Sequence, residues 1–165
     1  MHRVTICKIA ACFGAAALAT LASGCEAVPR DADGWTDRIV RTGVLTVGTS
    51  PKANAEPDAE KTEMEARERR AVEALARRLN ARVEWREGNV HELLTALEQR
   101  ELPVVAATVS GDTPFQQKVG LSQPYVKKGP HGKPYCIAVA PGENRLLLLL
   151  DQTIAAQQRE EGGAR

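Results

Sequence analysis

Apolar segments that alternate with helical segments constrain the fold of this chain more than any other feature of its sequence. The residues at 44–47, 103–107 and 135–140 are apolar almost without interruption, which is typical of strands buried on both faces of a sheet. We extend the first strand back to Ile39 and Val40. Helical segments separate the first strands and follow the last. This order predicts a mainly parallel sheet in one α/β lobe with three layers, α/β/α.

Two helices between the strands have recognisable start signals. Thr62 and Glu65 have the spacing of a capping box, which predicts a helix over residues 62–80. Residues 67–70 of this helix are rich in arginine, but glutamates one turn away, such as Glu63 and Glu65, balance them, which favours a solvent-exposed face over a basic patch. Asn89 is a good N-cap residue and begins the second helix.

Residues 81–86 alternate apolar and charged side chains, which predicts an edge strand with Trp85 facing the core. The last helix is predicted over residues 143–157 and contains five leucines, from Leu146 to Leu150. A run of this kind covers more than one face of a helix. Either the helix is fully buried, or part of the run contacts a partner such as a permease or a second chain.

The first 24 residues have the pattern of an export signal. Arg3 and Lys8 accompany an apolar run at 9–22, which is shorter than the roughly 20 residues of a spanning helix. Small residues then lead to Cys25, as in the lipobox of bacterial lipoproteins. We expect cleavage before Cys25, a diacylglyceryl chain on its thiol, and attachment to the outer face of the cell membrane. A plain secretory signal and an uncleaved anchor are the alternatives.

These patterns divide the chain into a signal peptide at 1–24, a polar tether at 25–37, a lobe at 38–157 and a disordered tail at 158–165. Two of the 22 basic residues leave with the signal, so 20 basic side chains face 21 acidic ones in the remainder. A chain with this balance lacks the charge pattern of a nucleic-acid-binding protein.

Several segments together resemble a known family. They are RTGVLTVG at 41–48, ALARRLNA at 74–81 and SQPY at 122–125, in the same order of strands and helices. Residues 39–154 are similar to one lobe of a family 3 extracellular solute-binding protein, which has the type II periplasmic binding fold of ABC importers. The resemblance implies ABC-transporter uptake of a small polar, amino-acid-like solute, with no catalysis and no cofactor.

Two differences from that family bear on function. The family crosses into a second lobe after the SQPY segment, whereas here Tyr125 is followed within a dozen residues by the next strand. The second lobe is therefore expected to be absent, so binding should be weak or shared with a partner. Amino-acid-binding members also grip the ligand carboxylate with an arginine, and that position falls on Phe115 in this sequence.

Ligands of open α/β sheets bind beyond the carboxyl ends of the strands. Polar side chains follow the first and third strands there and are our candidate ligand-binding residues: Thr49, Ser50, Thr108, Ser110, Asp112 and Thr113. Hydroxyl groups at these positions can hydrogen-bond a small polar solute. The alternative is that they cap the turns and helices that follow the strands.

Other chemistry finds little support in the sequence. His91 and His131 lack the spacing of metal ligands to any cysteine or carboxylate, so we expect no metal site. Cys136 lies in an apolar run and is expected to be a buried apolar side chain. Phosphate-loop and nucleophile motifs are missing, so we expect no enzyme activity. A lipoprotein that keeps the lobe only as an interaction scaffold is the second hypothesis.

Overall fold

The computed structural model describes residues 29–51 and 59–163, so the predicted signal peptide and the predicted lipid site at Cys25 lie outside the described residues. In chain order, the elements are α1 (Trp35–Thr42), β1 (Val44–Thr49), α2 (Ala59–Arg78), β2 (Arg82–Glu87), α3 (Val90–Glu98), β3 (Val104–Ser110), β4 (Gly120–Leu121), a 3-10 turn (Pro130–Gly132), β5 (Tyr135–Val139) and α4 (Asn144–Gly163).

The strands form one mixed sheet with the order β2-β1-β3-β5-β4. β1 pairs in parallel with both β2 and β3, whereas β5 runs antiparallel to β3 and to β4. The predicted mainly parallel sheet is confirmed, with antiparallel pairing confined to the β5 side. Because β1, β2 and β3 point the same way, their carboxyl ends meet at one edge of the sheet.

Helices cover both faces of this sheet. On one face, Leu45, Val47 and Ile137 are fully buried in a core shared with α1, α2 and α4. On the other face, Val105 and Ala138 are fully buried in a second core with α3. Burying a side chain of the size of Val, Leu or Ile contributes about 1.5–3 kcal/mol. The three-layer lobe is thus confirmed, and burial on both faces explains the continuous apolar runs of its central strands.

The first strand is shorter than the sequence predicts. Ile39 and Val40 lie in α1 rather than in β1, with Ile39 buried and Val40 exposed. Gly43 ends the helix because it takes a left-handed φ of 68° and donates its N–H to the Ile39 carbonyl at 2.8 Å. Glycine adopts this conformation without a steric penalty, so the turn that separates α1 from β1 depends on it.

The end of the predicted tether at 25–37 is part of the folded lobe. The Asp31 carboxylate accepts the backbone N–H groups of Arg145 and Leu146 at 2.8 and 3.0 Å, which caps the start of α4. The Glu143 carboxylate accepts the N–H groups of Asp33 and Trp35 at 2.6 and 3.0 Å, which caps the start of α1. The two helix N-termini therefore cap each other across more than 100 residues of sequence, a relationship that local patterns cannot predict.

The start of α2 also differs from prediction. The helix begins at Ala59, so Thr62 and Glu65 lie inside its first turns and the predicted capping box is wrong. Residues 59–61 have the sequence Ala-Glu-Lys, and all three are good helix formers that extend the helix towards its N-terminus. In contrast, the cap of α3 is confirmed, because the Asn89 side chain accepts the His91 N–H at 2.9 Å.

Residues 158–163, which we expected to be disordered, continue α4 to Gly163. Contacts with distant segments hold this last part of the helix. The Gln158 side chain donates to the Pro124 carbonyl at 2.8 Å, and Glu161 pairs with Arg67 at 3.1 Å. The sequence of this segment is typical of a disordered charged tail, and its helical structure could not be predicted because the residues that stabilise it lie elsewhere in the chain.

The leucine run of α4 is mostly buried. Leu146 and Leu150 are fully buried, whereas Leu148 has 39% of its surface exposed. One partly exposed leucine is ordinary on a protein surface and does not form an apolar patch.

Within the two described ranges, we find no helix with the length and apolar character that crossing a bilayer requires.

A short hairpin connects the segment around Tyr125 to β5. Val126 and Tyr135 form an antiparallel bridge, and the Gly129 N–H donates to the Lys133 carbonyl at 2.9 Å inside the loop. Val139, at the far end of β5, pairs with Val104 at the start of β3. The hairpin therefore lies at the same edge of the sheet as the carboxyl ends of the parallel strands, and the described residues form a single lobe.

Candidate functional site

A cavity of about 580 Å³ opens where the carboxyl ends of the parallel strands meet the first half of α2. This volume is within the range of sites for small organic molecules. Its described lining residues are Thr49, Ser50, Pro51, Thr62, Glu65, Ala66, Glu68, Arg69, Trp85, Glu87, Ala106, Ala107 and Thr108.

Three of the six predicted ligand-binding residues line this cavity. Thr49 ends β1, Ser50 follows it, and Thr108 lies in β3, so the parallel register of β1 and β3 brings them to one place. Their hydroxyl and backbone groups give the cavity hydrogen-bonding capacity of the kind that fixes a small polar solute.

The other three predicted residues form the turn after β3 and are not among the lining residues. The Ser110 hydroxyl donates to the Asp112 carboxylate, and Lys133 pairs with Asp112 at 2.8 Å. The Lys133 ammonium and the Ser110 hydroxyl hold the pKa of the Asp112 carboxyl below its usual range. Thr113 donates its N–H to the Ser110 carbonyl at 3.1 Å. These contacts are those of the alternative interpretation, in which the polar side chains cap the turn.

The most distinctive group at the cavity is the carboxyl of Glu68. Only 5% of this residue is exposed, and its two oxygens accept the backbone N–H of Thr108 at 3.0 and 3.3 Å. The contact joins α2 to β3 at the cavity wall. Buried carboxyl groups need such partners because leaving them unpaired costs several kcal/mol.

Thr108 itself has an unusual backbone conformation. Its φ is 56°, a left-handed value that β-branched residues rarely adopt, and the pairing of β3 with β5 is irregular between Val105 and Val109. The bulge turns the Thr108 N–H out of the strand ladder and towards Glu68. Strained backbone of this type costs about 1–3 kcal/mol and is concentrated at functional sites.

The electrostatic surroundings of Glu68 favour its protonated form. Burial raises the pKa of the Glu68 carboxyl to about 8; the Thr108 N–H and the Tyr125 hydroxyl oppose this shift, and the charge of Glu65 adds to it. Tyr125 is 5% exposed, and burial and Glu68 raise its pKa. The Tyr125 hydroxyl is close enough to Glu68 for the two groups to affect each other's pKa. It has no well-aligned hydrogen-bond partner among the described residues.

An aromatic side chain and an arginine complete the described lining. Trp85 of β2 is partly buried against the core, and the Arg69 guanidinium lies over its ring, 4.5 Å from the ring centroid. This cation–π contact occupies one face of the indole and positions Arg69 along the wall. Glu87, at the end of β2, is exposed at the cavity mouth.

The acidic and aromatic lining residues of the cavity were not predicted from the sequence. They are Glu65, Glu68, Glu87 and Trp85. We assigned residues 67–70 to a solvated face, although Glu68 stands four residues before Val72, on the buried stripe of α2. Extending that stripe backwards leads directly to Glu68 and Glu65, so the helical period contained the signal. Trp85 was predicted to face the core, and its second role as a cavity wall depends on the position of α2.

Comparison with solved structures identifies the fold. A point mutant of the arginine-bound form of domain 1 from TmArgBP matches with a TM-score of 0.60 and 20% identity, over 75% of this chain and 98% of that one. The ancestral amino acid-binding protein AncCDT-1, a precursor of cyclohexadienyl dehydratase, matches with a TM-score of 0.57 and 15% identity, over 77% and 94% of the two chains.

An amino acid ABC transporter substrate-binding protein from Streptococcus pneumoniae, bound to L-arginine, matches with a TM-score of 0.58 and 13% identity, over 76% of this chain and 92% of that one. No protein-family model and no curated protein matches the sequence. At these identities the likeness concerns the fold. The described lobe therefore has the α/β fold of domain 1 of solute-binding proteins.

Proposed function

We propose that this chain is an extracytoplasmic solute-binding protein that holds a small polar, amino-acid-like solute in the cavity at the carboxyl edge of its sheet. The observation that carries the proposal is the cavity itself, which lies where three parallel strands end and where Thr49, Ser50 and Thr108 converge. Its position is the one that ligands occupy in open α/β sheets.

The solved neighbours support this proposal in two ways. One is a single domain in its arginine-bound form, which is a precedent for a ligand held by one lobe of this fold. Another is an ABC transporter substrate-binding protein bound to L-arginine. We therefore propose that this chain serves ABC-type uptake or sensing of its solute and does not catalyse a reaction.

We further propose that the lobe is attached to the cell membrane through a lipid on Cys25. The pattern of an export signal that ends at Cys25 supports this proposal. The contacts of Asp31 with the start of α4 fix the incoming chain at one end of the lobe. Helix α4 follows the end of β5, which pairs with the start of β3. The cavity lies at the other edge of the sheet, where β3 ends, so the incoming chain and the cavity are at opposite ends of the lobe. A lobe attached in this way has its cavity turned away from the point of attachment and open to solute.

One lobe leaves part of a bound solute exposed to water, so we propose that binding is weak or is completed by a partner. A permease or a second chain could cover the cavity mouth. The leucine run of α4 contributes little to such a contact, because only Leu148 is substantially exposed.

Thermal-shift and calorimetric screening of the purified chain against amino acids, amines and small anions tests the proposed function. We expect at least one compound to raise the melting temperature in a concentration-dependent way. Ser50→Ala, at the cavity, should reduce the shift, whereas Ser110→Ala, in the turn beyond it, should not. If no compound at millimolar concentration shifts the melting temperature, solute binding is contradicted and the scaffold hypothesis takes its place.

A further inference from the structure

The charges that line the cavity are predominantly negative. Among its described lining residues, Glu65, Glu68 and Glu87 bear carboxyl groups, of which the buried one of Glu68 favours its protonated form, and Arg69 is the single base. The Arg69 guanidinium is stacked over Trp85, so one of its faces is engaged. An anionic group that entered this cavity would approach the carboxylates of Glu65 and Glu87 and one guanidinium, whose face is held by Trp85 and whose N–H edge stays free among the described residues.

Phe115, the position at which the family resemblance expects a carboxylate-binding arginine, lies away from the cavity. Phe115 is not among the lining residues, and it packs in the second core with its ring edge-on to His91, at a centroid distance of 5.3 Å. Within the described part of the chain, Arg69 is therefore the single guanidinium of the lining, and Glu65 stands one turn before it on α2, at a spacing from which its carboxylate can compete with a ligand carboxylate for the Arg69 N–H groups.

Two features suit a positively charged ligand. Glu87 at the mouth and Glu65 on α2 can accept hydrogen bonds from an ammonium or guanidinium group. The partly buried indole of Trp85 offers an apolar wall for an alkyl chain.

From this geometry we infer that the cavity takes an organic cation without a carboxylate, an alkylamine, diamine or guanidine, in preference to the corresponding amino acid. The inference rests on the proposed function, because it names the class of solute for the same cavity. It differs from the family expectation of an amino-acid-like ligand in one chemical group, the α-carboxylate. In the described lining that group has one possible partner, Arg69, and faces the carboxylates of Glu65 and Glu87.

Matched ligand pairs test this inference. Arginine and agmatine differ only by the carboxylate, as do lysine and cadaverine, so isothermal titration of the full chain with each pair isolates that group. We expect the decarboxylated member of each pair to bind about tenfold more tightly, because a like-charge contact is removed. Added salt should weaken the amines more than it weakens the amino acids.

A charge-matched pair of variants locates the effect. Glu87→Gln removes a carboxylate at the cavity mouth, whereas Glu84→Gln removes one from the same strand outside the cavity. We expect Glu87→Gln to weaken agmatine binding several-fold and Glu84→Gln to leave it unchanged. Equal or tighter binding of arginine, or equal effects of the two variants, overturns the inference while the proposed function stands. Failure of all four compounds to bind also overturns the inference, whereas the proposed function is overturned only if the wider screen of amino acids, amines and anions finds no ligand.

Discussion

The buried carboxyl group of Glu68 accepts the backbone N–H of Thr108, and this contact links helix α2 to the bulge of strand β3 at the wall of the cavity. Each residue accounts for a feature of the other. The left-handed backbone of Thr108 presents its N–H away from the sheet, and the carboxyl of Glu68 would otherwise be buried without a backbone partner.

The stability of the lobe should fall as the pH rises, and Glu68 should be a main cause. In the unfolded chain its carboxyl ionises near its ordinary pKa of 4.5, whereas burial in the fold raises this pKa to about 8. Unfolding then releases a proton between these values. The resulting stabilisation is complete below about pH 4.5 and is lost as the pH rises through 8, at up to about 1.4 kcal/mol per pH unit.

Glu68→Gln isolates this contribution, because glutamine is neutral and its carbonyl can still accept the Thr108 N–H. The free energy of unfolding in urea, measured from pH 5 to pH 9, should fall less steeply for the variant than for the unmodified chain. Burial also raises the pKa values of Glu143 and Asp151, so both proteins keep a residual slope. The charge-matched control Glu73→Gln on the same helix should retain the full slope. Parallel profiles for Glu68→Gln and the unmodified chain would contradict the assignment.

Glycine should be favourable at position 108. Thr108 has a φ of 56°, and relieving this strain should stabilise the lobe by about 1 kcal/mol in Thr108→Gly. Thr46 lies in the middle of β1 and has ordinary strand geometry, so Thr46→Gly should instead destabilise by about 1 kcal/mol. Denaturant midpoints of the two variants provide the comparison, and a loss of stability of the same size in both would mean that position 108 carries no strain.

Removal of the Asp31 side chain should destabilise the lobe although the residue lies in the predicted tether. Its carboxylate accepts three backbone N–H groups, from Thr36, Arg145 and Leu146, so Asp31→Ala should cost about 2 kcal/mol. Asp33→Ala is the matched control, because the Asp33 side chain makes only a surface ion pair with Arg100. Thermal unfolding should show a lower midpoint for Asp31→Ala and a nearly unchanged one for Asp33→Ala. Equal midpoints would mean that residues before α1 do not contribute to the fold.

The parts of the fold that sequence could predict are those set by local burial. The central strands are apolar on both faces, and the stripes of α2 and α3 repeat at the helical period, so their order and type follow from the sequence. Helix α1 was missed because it has only eight residues, and its apolar Ile39 and Val40 are separated from the apolar strand by only three residues. The mutual capping of α1 and α4 by Asp31 and Glu143 depends on residues that meet only after folding.

Only part of the candidate site could be predicted from the sequence, because only some of its residues are set by local pattern. The rule that ligands bind at strand ends predicted six residues. Three of them, Thr49, Ser50 and Thr108, line the cavity. The other three, Ser110, Asp112 and Thr113, make contacts within the turn that follows β3. Which polar residues face the cavity depends on the bulge at Thr108, and no sequence signal reveals a positive φ at a threonine. The acidic lining comes from α2, whose place over the strand ends is a property of the tertiary structure.

The most direct test of the central claim is an NMR titration of the isotopically labelled full chain with agmatine and with arginine. If a solute binds in the cavity, the indole N–H of Trp85 and the backbone amides of Ser50 and Thr108 should shift in a saturable way. The amides of Asp112 and Thr113 should stay in place. Saturable shifts confined to Asp112, Thr113 and the hairpin at 126–135 would contradict the claim that this cavity is the binding site, and no shifts with either compound would contradict the inferred class of solute.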